Sequence, residues 1–131
     1  MIVLDTHVLV WWVSGAVKLS VRAKRAIESR RKGSALIVSA ISVLEIATAV
    51  RRGRLALGAS LDQWLADLRV LPELRFEPVS FAIAHMAGTF DESIPRDPAD
   101  RLIVATARAF EAKLVTADER LRQVPQLQTI W

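Results

Sequence analysis

The chain has 131 residues, no cysteine and a formal net charge of +4. Hydrophobic residues make up 52% and charged residues 24%, which excludes a disordered chain and indicates a compact globular protein. Disulfides and thiolate chemistry are excluded, and this fits a reducing cytoplasm. We therefore expect one cytoplasmic domain over residues 1–131.

The apolar N-terminus lacks the pattern of a signal peptide. No Lys or Arg precedes it, and Asp5 interrupts it. The apolar run at residues 8–13 is far shorter than the roughly 20 residues that a membrane-spanning helix needs. We expect no membrane association.

Short β-rich runs alternate with helical runs along the first half of the chain. Ser20 is a candidate N-cap, and Gly53 follows an apolar helical run. The predicted elements are a strand at residues 2–4, a short helix through residue 13, a helix over 20–31, a strand at 35–39 and helices over 41–52 and 60–71.

The second half continues the alternation. Pro78 would confine the third strand to a sheet edge. The predicted elements are a strand at 75–79, a helix over 80–87, a loop over 88–98, a helix over 98–112, a strand at 114–116, a helical turn at 118–122 and a strand at 128–130. Apolar strands separated by helices predict an α/β fold with three α/β/α layers and a central, mostly parallel sheet of four to five strands.

Five acidic residues follow the ends of predicted strands or open the helices after them. Asp5 ends the first strand, and Glu45 lies in the first turns of the helix after the second. Asp97 and Asp100 open the helix over 98–112, and Asp118 follows the strand at 114–116. Because the carboxyl ends of parallel strands meet in one crevice, we expect these acids to converge.

Each acid also has a structural interpretation. Ser42 and Glu45 fit a capping box, in which the glutamate bonds back to the serine amide. Asp97 precedes a proline and fits an N-cap, and Asp5 and Asp118 could cap the helices that follow them. Taken singly, these interpretations remain open.

Taken together, the acids favour a metal site. Asp100 shares a helical stripe with Ile103 and Val104, so it should face the core. Several partly buried carboxylates with few basic partners would repel one another, and a divalent cation removes that conflict. Carboxylate oxygens suit Mg²⁺ or Mn²⁺, so we expect one or two such ions on Asp5, Asp100 and Asp118.

The charge is divided between this acidic cluster and a basic body. Of the 14 acidic residues, Asp5, Glu45, Asp100 and Asp118 lie in the cluster, which leaves ten against 18 basic residues. That division favours a polyanionic substrate whose phosphodiester backbone is hydrolysed. The basic clusters are Arg22/Lys24/Arg25, Arg30/Arg31/Lys32 and Arg51/Arg52/Arg54.

Four segments, DTHVLVWW, SVLEIA, RDPADRLIVATA and LVTAD, resemble the PIN-domain ribonucleases, and above all the VapC-type toxins of bacterial toxin–antitoxin pairs. The resemblance runs almost from end to end, with the four motifs in order. It implies a metal-dependent endoribonuclease that acts on RNA, forms a homodimer and is neutralised by a cognate VapB-like antitoxin.

The resemblance also assigns residues. It implies that Asp5, Glu45, Asp100 and Asp118 are the catalytic acids, and that Asp97, Thr6 and Thr116 support them by orienting a carboxylate or a metal-bound water. The alternative is a catalytically silent PIN-like binding module, against which the intact set of acids argues. A phosphatase or phospho-receiver is disfavoured, because the first strand lacks a DxD pair and the nearby lysines precede their strands.

Neighbouring residues carry weaker expectations. His7 is expected to face the adjacent helix or groove, because Mg²⁺ disfavours imidazole. Arg101 could pair with Asp97 or contact phosphate, and we expect the pairing. Trp11 and Trp12 are adjacent and cannot both face one core, so one of them could be exposed, and we expect burial in an interface or in the core rather than stacking on RNA bases.

Overall fold

The structure is a computed structural model that describes residues 1–29 and 33–131. Its strands and helices alternate along the described chain as the sequence predicts. The elements are β1 Ile2–Leu4, α1 Thr6–Ser14, α2 Val21–Glu28, β2 Leu36–Ser39, α3 Ala40–Arg51, α4 Leu61–Arg69, β3 Leu74–Glu77, α5 Phe81–Thr89, α6 Pro98–Ala109, β4 Lys113–Val115, α7 Glu119–Arg122 and β5 Thr129–Ile130.

The strands form one sheet in the order β3-β2-β1-β4-β5, and every neighbouring pair is parallel. Val3 of β1 lies opposite Ile37 of β2 on one side and Leu114 of β4 on the other. After β1, the chain adds β2 and β3 on one side of it and then β4 and β5 on the other side. The gap between β1 and β4 is therefore the point where the strand order reverses, which is where ligands bind in open parallel sheets.

Helices cover both faces of the sheet. Val3, Ile37 and Leu114 point to one face, where they pack with residues of α6 and α7. Leu4 and Val38 point to the other face, where they pack with α1, α2 and α4. All five side chains are fully buried, which explains why the strands are continuously apolar. The predicted three-layer α/β/α fold is confirmed.

Several boundaries differ from those predicted. Helix α6 ends at Ala109 rather than at residue 112, because Glu111 adopts a left-handed conformation with φ of 49°. Helix α5 extends to Thr89, two residues into the predicted loop. Strand β3 lies at the edge of the sheet, as Pro78 indicated. The predicted end of the second helix and the basic cluster at residues 30–32 lie outside the described residues.

Capping also departs from expectation at α3. Ser39 caps this helix by accepting from the amide of Ile41. Ser42 is therefore inside the helix and fully buried, so the predicted capping box with Glu45 is wrong. The Glu45 side chain instead points from α3 towards α1, where it accepts from the Thr6 hydroxyl.

No helix within residues 1–29 and 33–131 has both the length and the apolar character needed to cross a lipid bilayer.

Candidate active site

Asp5 lies at the centre of the site, directly after β1. Its backbone amide donates to the carbonyl of Val115 at 3.0 Å, which ties the end of β1 to the end of β4. The residue is only 4% exposed, as predicted. The carboxylate accepts from the Thr6 amide at 2.8 Å and from the Thr116 hydroxyl at 2.6 Å. These bonds offset part of the cost of burying the charge.

Thr116 connects Asp5 to Asp118. The fully buried Thr116 hydroxyl donates to Asp5 and accepts from the backbone amide of Asp118 at 3.0 Å. Asp118 in turn caps α7 by accepting from the amide of Arg120 at 2.9 Å. Asp5 and Asp118 therefore have the capping roles that their positions suggested and also lie at adjacent strand ends.

Thr6 connects the same centre to Glu45 of α3. The Thr6 hydroxyl donates to Glu45 Oε1 at 2.5 Å and lies 2.8 Å from the hydroxyl of Ser42. Since the Thr6 hydrogen goes to the carboxylate, Ser42 is the donor in the second bond. Glu45 is thus held over α1 by a residue 39 positions earlier in the chain.

Asp97 and Asp100 come from the start of α6. Asp97 is exposed and caps the helix by accepting from the amides of Ala99 and Asp100. The Asp100 side chain is 14% exposed and lies one turn before the buried Ile103 and Val104. The predicted helical stripe is confirmed.

The acids interact electrostatically as one group. Burial raises the pKa of the Asp100 carboxyl to about 7, with further contributions from the negative charges of Asp97 and Asp5. Burial also raises the pKa of Glu45, although the hydrogen bond from Thr6 partly opposes this. A site in which two carboxyls resist ionisation is short of positive charge.

Arg120 supplies positive charge that the sequence analysis did not predict. Its guanidinium donates to Asp118 Oδ2 at 2.9 Å and to Asp100 Oδ2 at 3.2 Å, so it lies between the two carboxylates. The hydrogen bond from Arg120 lowers the pKa of Asp118. The sequence did contain a sign of this contact. Arg120 follows Asp118 by two residues and lies in the first turn of α7, next to the residue that caps the helix.

Arg101 does not pair with Asp97, so that prediction is wrong. Its guanidinium donates to the backbone carbonyls of Ala87, Phe90, Ile94 and Pro95. It therefore fastens the segment that leads from α5 into α6. The sequence of the predicted loop over residues 88–98 contains no pattern that indicates these contacts, because they are made to backbone carbonyls.

His7 lies beside the site, between Asp5 and Trp11. Its ring lies 4.9 Å from the ring of Trp11, which also contacts Trp131 at 5.7 Å. His7 Nε2 lies 3.6 Å from Asp5 Oδ2 without a hydrogen-bond partner in the described structure. Trp11 and Trp12 are both partly buried, so neither is fully exposed, and the place of one of them at an interface stays a prediction.

The acids converge without forming a finished coordination shell. Within residues 1–29 and 33–131, no three His, Cys, Asp or Glu side chains already have metal-binding geometry. The donor set nevertheless fits a hard divalent cation, because it consists of carboxylate oxygens and a cation, the Arg120 guanidinium, already lies between two of them. Asp5, Asp100 and Asp118 could hold such an ion.

Fold and site together define a class of protein. The family model described as "PIN domain" matches residues 2–127, and the chain belongs to this family. The chain is also 37% identical to the ribonuclease VapC22 of Mycobacterium tuberculosis over 132 aligned positions, which cover 99% of this chain and 98% of that protein.

Solved structures have the same fold. One is described as a toxin-antitoxin complex from Klebsiella pneumoniae and matches with a TM-score of 0.69 and 19% identity, over 97% of this chain and 95% of that one. Another is VapC20 of Mycobacterium tuberculosis, described as a sarcin-ricin loop cleaving toxin. It matches with a TM-score of 0.67 and 18% identity over 92% of each chain.

Proposed function

We propose that the protein is a metal-dependent endoribonuclease that acts as the toxin of a toxin–antitoxin pair. The observation that carries this proposal is the convergence of four acids at the point where the strand order reverses, namely Asp5, Glu45, Asp100 and Asp118. Too little positive charge lies near Asp100 to keep its carboxyl readily ionised. Membership of the PIN family and the 37% identity to a ribonuclease support it.

Asp5, Asp100 and Asp118 would hold Mg²⁺ or Mn²⁺, as one or two ions. A bound divalent cation activates water and stabilises charge on the phosphate oxygens. Asp5 is positioned for this role by Thr6 and Thr116, which leave its carboxylate little freedom to rotate. Asp97 fixes the start of α6 and so the place of Asp100.

Glu45 is the residue we assign to proton transfer. It is half-buried and its pKa is raised, so it can take up a proton more readily than an exposed glutamate. In the hydrolysis, the water oxygen forms a bond to phosphorus and the proton of that water passes to Glu45 Oε. The phosphorus–oxygen bond to one ribose breaks, and the leaving ribose oxygen takes a proton from bulk water. Thr6 holds that carboxylate towards the centre of the site.

RNA is the proposed substrate and a VapB-like antitoxin the proposed protein partner, and we expect the protein itself to be a homodimer. The basic body around the acidic cluster supports a polyanionic substrate. The toxin-antitoxin complex with the same fold supports a protein partner. A short reading frame directly upstream, whose product copurifies with this chain and stops cleavage, would identify that partner.

Cleavage of total RNA by the purified protein tests the function. Reactions contain Mg²⁺, Mn²⁺ or EDTA and compare the wild type with Asp5→Asn, Asp100→Asn and Asp67→Asn. Asp67 is an exposed acid of α4 that bonds to Gln63, so its variant makes the same chemical change away from the strand ends. We expect discrete, metal-dependent fragments from the wild type and Asp67→Asn only.

Isothermal titration of the same proteins with Mn²⁺ separates the alternatives. Cleavage by Asp5→Asn at the wild-type rate would rule out the proposed site. Metal binding without cleavage of any RNA would instead favour the silent binding module. Cleavage that persists in EDTA would contradict the metal dependence.

A further inference from the structure

Arg120 is placed where a metal ion would compete with it. Its Nε donates to Asp118 Oδ1 at 3.3 Å, and its Nη2 donates to Asp118 Oδ2 at 2.9 Å and to Asp100 Oδ2 at 3.2 Å. These are oxygens of two of the three acids proposed to hold the cation. A divalent ion that takes up their lone pairs leaves fewer for the guanidinium.

The guanidinium can leave these oxygens easily. The Arg120 side chain is 65% exposed, and within the described residues its side-chain hydrogen bonds all go to Asp100 and Asp118. Solvent screens the guanidinium end of these pairs, although the side chains of Asp100 and Asp118 are only 14% and 20% exposed, so the pairs contribute modestly to stability. Arg101 is the contrasting case, because four backbone carbonyls hold its guanidinium in place.

The backbone of Arg120 stays at the site when its guanidinium moves. Its backbone amide donates to Asp118 Oδ1 at 2.9 Å, within the cap of α7. A released guanidinium therefore remains within reach of whatever enters beside the acids. A guanidinium presents a planar fork of donors that matches the oxygens of a phosphate.

We propose that Arg120 is a phosphate-binding residue of this site, held on Asp100 and Asp118 until a divalent cation displaces it and then bound to the RNA backbone next to the cation. The inference rests on the proposed function. It also accounts for a problem of charge. A cluster of acids repels RNA in the absence of metal, and loading the cation would both offset that negative charge and free the arginine from Asp100 and Asp118.

The first test measures metal binding without RNA. Isothermal titration with Mn²⁺ compares the wild type with Arg120→Gln, Arg120→Lys and Arg122→Gln. Arg122 lies on the same short helix but pairs with Glu119, so it is the matched control. Removing the competing cation should tighten Mn²⁺ binding by about fivefold in Arg120→Gln, which is the scale of an exposed ion pair. Arg120→Lys and Arg122→Gln should stay near the wild type.

The second test measures RNA binding. A fluorescein-labelled single-stranded RNA of mixed sequence is titrated by anisotropy with Ca²⁺ in place of Mg²⁺, and its intactness is checked on a gel. Arg120→Gln should bind more weakly, and its slope of log K against log salt should be shallower by about 0.7, the loss of one contact to a single-stranded phosphate backbone. Arg120→Lys should recover the slope, and Arg122→Gln should match the wild type.

The two tests separate failure of this inference from failure of the proposed function. Arg120→Gln with wild-type RNA affinity and salt slope would overturn the inference, even if the wild type loads metal and cleaves RNA. A wild type that binds no metal and cleaves nothing would overturn the proposed function and this inference with it. A merely structural role of Arg120 would lower the unfolding temperature in EDTA without changing the salt slope, and that result would also overturn the inference.

Discussion

The hydroxyl of Thr116 donates to the carboxylate of Asp5 at 2.6 Å across 111 positions of sequence. It also accepts from the amide of Asp118, so one buried side chain joins the ends of β1 and β4 to the cap of α7. Packing alone would tolerate valine here, because the two side chains are similar in shape. The threonine is therefore explained by its hydrogen bonds to the two acids.

Thr116→Val should destabilise the protein and impair the site together. The substitution removes one donor from the buried Asp5 carboxylate and one acceptor from the Asp118 amide. We expect a loss of about 1–3 kcal/mol in the free energy of unfolding, the usual cost of leaving a buried polar group unpaired. Urea unfolding measures this, and Mn²⁺ titration should show weaker binding. Thr116→Ser retains the hydroxyl and should lose much less, so equal effects of the two variants would contradict this role.

The sequence predicts those features of the site that depend on local pattern. The burial of Asp5 follows from its position at the end of an apolar strand, and the inward position of Asp100 follows from the stripe it shares with Ile103. Both predictions are confirmed. The sequence alone thus places the candidate site at the carboxyl ends of the strands.

Contacts between distant elements were not predictable in the same way. The bond between Thr6 and Glu45 depends on how α3 packs against α1, and no local pattern encodes that packing. The contacts of Arg101 and Arg120 depend on the path of a loop and the turn of a short helix. Long flexible side chains find partners only after these backbones are placed, so the pairing of Arg101 with Asp97 was wrong. The capping box at Glu45 was wrong for another reason, because α3 begins at Ala40 with Ser39 as its cap.

Asp100→Asn should stabilise the metal-free protein at pH 8. The raised pKa of about 7 means that the folded site disfavours the charged carboxylate relative to the unfolded chain. The destabilisation caused by the Asp100 charge is absent at pH values below the ordinary carboxyl pKa, and it grows until the pH passes about 7. Thermal unfolding in EDTA should therefore show a gain for the variant at pH 8 that shrinks towards pH 5.

Saturating Mn²⁺ should reverse that order. The wild type gains stability from the bound ion, whereas Asp100→Asn lacks one of the proposed ligands. Asp67→Asn should follow the wild type under both conditions, since Asp67 is exposed on α4. A variant that is less stable than the wild type in EDTA at pH 8 would show that the pairing of Asp100 with Arg120 outweighs its burial.

Metal affinity should rise with pH up to about 7. Asp100 must ionise to bind a cation, and its pKa of about 7 means that it is largely protonated at pH 6. Mn²⁺ binding below that pH should release a proton, which calorimetry in buffers of different ionisation enthalpy detects. Glu45, whose pKa is also raised, adds to the release if it contacts the ion. Affinity that does not change between pH 5.5 and 7.5 would contradict ligation by Asp100.

Arg101→Lys should loosen the segment that carries Asp97 and Asp100. The guanidinium donates to carbonyls at the end of α5 and in the loop before α6, including those of Ala87 at 3.0 Å and Ile94 at 3.3 Å. A lysine ammonium has only three donors and cannot serve the same four carbonyls in one plane. We expect a loss of about 1–3 kcal/mol in the free energy of unfolding, because carbonyls are left unpaired.

Hydrogen exchange distinguishes this effect from a change in the site itself. Amides of residues 90–97 should exchange faster in Arg101→Lys, while those of β1 and β4 remain protected. Arg96→Lys is the control, since Arg96 is exposed and pairs across the surface with Glu92. Mn²⁺ binding should weaken in Arg101→Lys, because Asp97 and Asp100 follow directly after the loosened segment. Unchanged exchange over residues 90–97 would show that the loop keeps its path without the guanidinium.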